Sequence, residues 1–193
     1  IAAVGFELYC RLLEQAVQTL KGQRQAVKGL PGDRREREDI KIELNVNAYL
    51  PASYVPNQQE KIEIYRRIAT IEREEEIRDI ADELKDRFGR LQSPVENLLA
   101  VAQLRLLAEE CKVESIEQDK KQVMVKFSNE AVFDNNIFWQ LAMKYRGQLT
   151  VQAGKGITLK VKNQPREKEL LQLLNNILFD LASSNQQAEP KRA

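Results

Sequence analysis

Glu75, Asp79, Asp82, Glu83 and Asp86 recur at short steps inside the run Glu74 to Phe88. At about 100° per residue they form one stripe of a helix, opposite Ile77, Ile80, Ala81, Leu84 and Phe88. The chemistry such a stripe offers is ionic. Glu75/Asp79, Asp79/Glu83 and Asp82/Asp86 are acid-with-acid neighbours four residues apart. Each such pair is unfavourable by about 0.2–0.5 kcal/mol in an isolated helix. Arg78 and Arg87 relieve part of this from the flanks. Two readings stay open from the residues alone: a solvated face, or a docking stripe whose charge orients a basic partner surface.

Other reactive residue types are scarce. The chain has no histidine, which removes the commonest general base and the commonest metal ligand. Cys10 and Cys111 sit in apolar helical patterns without a CxxC partner, so a buried, reduced thiol is expected and a zinc site is not. Gly154-Lys155-Gly156 lacks the spacing of a phosphate loop and reads as a hairpin turn. No GxGxxG, HExxH or GxSxG occurs. These absences speak against hydrolytic catalysis, and no catalytic, cofactor or metal residues are assigned. Trp139, beside Phe138 and near Tyr145, could stack on a base, but helical spacing sets it at the border of the core side, as core or rim packing. Arg34, Arg35 and Arg37 are interleaved with Asp33, Glu36, Glu38 and Asp39, as in a solvated linker.

The elements that must position the stripe follow from patterning. In 193 residues, Lys plus Arg number 30 and Asp plus Glu 29, a formal net charge of +1 that argues against a strongly basic nucleic-acid binder. No apolar run is long enough to span a bilayer, no signal peptide is visible, and a cytoplasmic location fits. Ile1 is not a natural start, so the chain reads as a fragment. Val4 to Leu20 is an amphipathic helix and 23–39 a linker. Ile40 to Leu50 alternates with period two and predicts a strand with one buried face. Asn57 with Glu60 predicts a capped helix to Ile71. Gly89 ends the acidic helix. Ser93-Pro94-Val95-Glu96 predicts a capping box for a central helix to Cys111, apolar around most of its circumference. Strands follow over Val113 to Ile116 and Gln122 to Phe127, then a helix over Asn135 to Tyr145. A hairpin of Leu149 to Ala153 with Ile157 to Val161 precedes a last helix to Leu181, and 182–193 reads as a disordered tail. The fold class expected is α+β: a helical bundle leading into a small antiparallel sheet with flanking helices.

The text IYRRIATIEREEEIRDIADELKDRFGRLQSPVENLL, from Ile64 to Leu99, resembles the C-terminal domain of the bacterial transcription-repair coupling factor (Mfd) family. The opening IAAVGFELYCRLLEQAV is similar to the end of that family's helicase-type translocase module. Asn45 and Asn47 depart from the proline and aspartate of many relatives. The resemblance implies domains at 1–22 (translocase terminal helix), 23–39 (linker) and 40–181 (regulatory domain). It implies a parent protein that translocates on duplex DNA using ATP and Mg, displaces stalled RNA polymerase and recruits UvrA-containing excision machinery. This domain would be an autoinhibitory clamp that packs on the UvrB-like N-terminal domain of the same protein and hides its UvrA-binding surface. Glu83 and Asp86, with Asp79 and Asp82, are the contact residues it points to. The alternative is a nucleic-acid-binding accessory domain assisting translocation on duplex DNA.

Overall fold

The computed structural model describes residues 40–188 apart from positions 130, 132, 134, 155 and 165. Cys10, the expected first helix, the linker and residues 189–193 lie outside the described residues. Among the described residues the order is β1 (Lys41–Glu43), α1 (Gln58–Ala69), α2 (Glu74–Phe88), α3 (Ser93–Glu110), β2 (Val113–Gln118), β3 (Gln122–Phe127), α4 (Asn135–Lys144), β4 (Leu149–Ala153), β5 (Ile157–Lys162) and α5 (Glu167–Ala188). The α+β class holds.

Asn57 caps α1: its Oδ1 accepts from Gln59 N at 2.8 Å and Glu60 N at 3.3 Å. The helix stops at Ala69, short of Ile71. There the Arg105 guanidinium of α3 donates to Ala69 O (2.9 Å) and Ile71 O (3.2 Å), taking carbonyls that a longer helix would use itself. Next, α2 buries Ile77, Ile80 and Leu84 and ends at Gly89, whose φ of 81° and ψ of −161° favour glycine strongly. The Tyr54 hydroxyl lies 3.0 Å from both Leu84 O and Gly89 O and closes that terminus.

The expected capping box at Ser93 does not form. Gln92 is the N-cap, without a side-chain cap bond, and Ser93 is already helical. Glu96 instead accepts from Lys168 Nζ at 3.0 Å, a charged partner that competes with a neutral backbone N–H. Behind this start α3 occupies the centre, packed on α1, α2, α5 and β2. It hands over to β2 through Lys112, a non-glycine residue at φ 55°.

The sheet order is β1-β2-β3-β5-β4. It is mixed and not purely antiparallel, because β1 runs parallel to β2. Val123, Val125, Phe127, Leu159 and Val161 are buried beneath the helices. Asp119 turns β2 into β3 by accepting from Lys121 N (2.6 Å) and Gln122 N (2.9 Å). The last helix continues to Ala188, past the Leu181 at which a tail was expected.

The alternation of Ile40 to Leu50 is real, but only Lys41–Glu43 is a strand. Leu44, Val46, Ala48 and Leu50 are buried, each 6 % exposed or less. Between them the backbone N–H groups find scattered partners: Asn45 N to Gln118 Oε1 (2.7 Å), Asn47 N to Glu167 Oε2 (3.0 Å), Tyr49 N to Pro94 O (3.2 Å) and Leu50 N to the Tyr65 hydroxyl (2.8 Å). Period-two patterning specifies an extended backbone with one buried face, and three of these four acceptors are side-chain atoms in place of a neighbouring strand.

Candidate functional site

The apolar side of α2 is fixed by Ile77, Ile80 and Leu84, and Phe88 rests against Tyr54 with ring centroids 5.7 Å apart. That anchoring turns the acidic side outward, and the four candidate carboxylates divide into two kinds. Glu83 is not free. Its Oε2 accepts from Arg67 Nη1 at 2.6 Å and its Oε1 from Arg87 Nη1 at 2.9 Å, while Arg87 Nη2 reaches Glu60 Oε1 at 2.9 Å. Hydrogen bonds from Arg67 and Arg87 hold the Glu83 carboxyl below the usual carboxylate range. Glu83 therefore fastens α2 to α1. Asp82 pairs with Lys85 at 2.8 Å. Asp79 and Asp86 are exposed and make no ion pair among the described residues.

The helical wheel contains the sign of this division. Relative to Ile77, Asp79 and Asp86 fall about 200° and 180° round the helix, whereas Glu83 falls near 240°, on the flank that Arg87 shares. Arg87 stands four residues after Glu83. The contribution of Arg67, from another helix, carried no signal in the sequence.

Trp139 is a correction. It is 66 % exposed and not packed in the core or at its rim. The inward side of α4 is set by Ile137 and Leu141, and Tyr145 just beyond the helix donates to Asp180 Oδ2 at 2.7 Å. That leaves Trp139 and Met143 facing outward. Burial and the Asp180 hydrogen bond raise the Tyr145 hydroxyl. Cys111 matches the expected buried, reduced thiol: its Sγ donates to Leu178 O at 3.4 Å and burial pushes its pKa up to about 12. Among the described residues no group of His, Cys, Asp and Glu could hold a metal ion, and no helix is long and apolar enough to cross a membrane.

An acidic, well-anchored helix face suits ionic contact with a partner surface. Residues 44–137 match the family described as TRCF domain. A transcription-repair-coupling factor of Staphylococcus haemolyticus is 38% identical over 136 residues, covering 70% of this chain and 11% of that protein. One from Bacillus subtilis is 30% identical over 180 residues, covering 92% of this chain and 14% of that protein. The chain thus spans about a tenth to a seventh of the length of these relatives. A crystal structure of the C-terminal domain of transcription-repair coupling factor matches with a TM-score of 0.72 at 23% identity, over 78% of this chain and 96% of that one.

Proposed function

Because the chain belongs, through residues 44–137, to the TRCF domain family, we propose that it is a non-catalytic, autoinhibitory interaction domain of a transcription-repair coupling factor. It docks through the outward face of α2 on the UvrB-like domain of the same protein and masks the surface that UvrA uses. The parent protein is an ATP-dependent DNA translocase of the bacterial cytoplasm that displaces stalled RNA polymerase; ATP and Mg belong to that parent and not to this domain.

The observation that carries the reading is the pair Asp79 and Asp86, exposed and without a cation among the described residues, on a helix whose other side is buried. Two unpaired carboxylates on one helix face, about 10 Å apart along the axis, offer complementary charge to a basic surface. Exposed ion pairs contribute only about 0–1 kcal/mol each. A clamp built from them is held shut by a small margin, so binding of polymerase and DNA elsewhere can shift the population to the open state.

The test is made in the full-length parent. Asp79→Lys with Asp86→Lys is expected to raise both UvrA binding and basal ATPase, while Glu83, already engaged by Arg67 and Arg87, is left intact. Wild-type levels of both readouts in a folded double variant refute the docking claim.

A further inference from the structure

The lysines of the sheet fall into two groups. Lys41 lies 3.2 Å from Glu43 and 3.6 Å from Glu117, and Lys126 lies 3.6 Å from Glu117. Lys120, Lys121, Lys160 and Lys162 make no ion pair among the described residues. All four converge on one corner. Gln122 is the register partner of Lys162, and Met124 that of Lys160, so both β5 lysines stand on the sheet face turned away from Val123 and Val125. Lys120 and Lys121 form the adjoining turn, tied to the end of β5 by Asn163 N donating to Lys121 O at 3.2 Å. The one carboxylate in that turn, Asp119, is folded back on Lys121 N and Gln122 N, and those two hydrogen bonds hold it below the usual carboxylate range.

Four unpaired ammonium groups within a few strand spacings form a strong local concentration of positive charge in a chain whose net charge is +1. The surroundings identify the partner. Protein interfaces centre on aromatic and apolar anchors, yet the outward positions here are Gln122, Thr150, Gln152, Thr158 and Glu117, the last already paired with Lys41 and Lys126, with Met124 the one apolar side chain among them. Lysines and small polar groups without an apolar anchor are the complement of phosphate oxygens, which are held by charge and hydrogen bonds irrespective of sequence. We propose that this corner binds the phosphodiester backbone of duplex DNA. The surface is separate from the acidic face of α2, and either assignment can fail alone.

The experiment measures binding of a fluorescent 20-base-pair duplex to the full chain by polarisation between 50 and 200 mM salt. Each phosphate contact contributes about 0.9 to the slope of log affinity on log salt, so four contacts predict a slope near −3.6 and about 150-fold weakening across this range. The variant Lys120→Gln/Lys121→Gln/Lys160→Gln/Lys162→Gln is expected to bind at least tenfold more weakly at 50 mM salt, with a flatter slope. Asp79→Lys with Asp86→Lys must leave at least wild-type affinity. Should the fourfold variant lose its thermal transition, Lys120→Gln/Lys121→Gln, confined to the exposed turn, is expected to flatten the slope by about 1.8. The proposal is overturned by no binding at 50 mM salt, by an unchanged slope in the folded variants, or by a polyglutamate peptide that binds as tightly as the duplex.

Discussion

Asn47 and Glu167, 120 residues apart in the chain, are joined by two hydrogen bonds: Asn47 N to Oε2 at 3.0 Å and Asn47 Nδ2 to Oε1 at 2.6 Å. Asn97, 5 % exposed on α3, completes the knot by donating Nδ2 to Glu167 Oε2 at 2.9 Å and to Asn47 O at 3.1 Å. One carboxylate thus holds the extended segment, the central helix and the last helix together.

Glu167→Ala removes the acceptor common to these donors and leaves the Asn97 amide with one partner fewer in a buried place. Stranding a buried donor costs about 1–3 kcal/mol, and a loss of that size is expected in urea unfolding. Glu167→Gln is also expected to destabilise, because its amide nitrogen would face a donor where an oxygen now accepts. Wild-type stability in both variants would show the knot to be energetically idle.

The bonds from Arg67 and Arg87 that depress the Glu83 carboxyl tie stability to pH. A carboxylate with a lowered folded-state pKa contributes stability above its unfolded value, near 4.5, and that contribution is lost as pH falls through the folded value. The group is partly exposed, so the contribution is below about 1 kcal/mol. Glu83→Gln is expected to be less stable than wild type at pH 7 and to converge with it in acid, once the pH lies below the folded-state value. A gap that widens in acid would reverse the sign and exclude the mechanism.

Two backbone positions make opposite predictions. At Gly89, with φ 81° and ψ −161°, nothing lies within 4 Å of an added Cβ, so Gly89→Ala acts through backbone strain alone and is expected to cost about 1–3 kcal/mol. Lys112, at φ 55°, already carries such strain, and Lys112→Gly is expected to gain about 0.5 kcal/mol after the entropy of the freer unfolded chain is subtracted. Thermal unfolding of the two single variants checks both signs.

The Cys111 thiol, buried and with its pKa pushed up to about 12, holds almost no thiolate at neutral pH. In a Cys10→Ala background, iodoacetamide labelling at pH 8 is expected to proceed at the rate of opening of the contact between α3 and α5. Labelling at the rate of a free thiol would mean that Cys111 is accessible in the folded state.

Legibility in the sequence followed the range of the interaction. Asn57 and Gly89 announce helix ends because caps are local, and the α2 core side is visible because Ile77, Ile80 and Leu84 repeat on one helix. Ser93 and Glu96 met the local rule for a capping box, and a residue 72 positions away, Lys168, overrode it. Residues 44–50 showed their buried face but not their partners, which come from four other elements. At the site, Asp79 and Asp86 were legible as outward-facing; the capture of Glu83 by Arg67 was not, since it depends on how two helices meet. The lysine corner was hidden for the same reason, because sheet register brings Lys160 and Lys162 beside Lys120 and Lys121.

The unusual attachment of residues 44–50 has a mechanical consequence. A tension arriving from the chain before Ile40 meets first the short β1 ladder and then separate anchors: one bond to Gln118 on β2, two to Glu167 at the head of α5, one to Pro94 in α3 and one to Tyr65 in α1. Pulled along the segment axis, these anchors carry the load together and pass it to every layer of the domain. Peeled outward from Ile40, they release one after another.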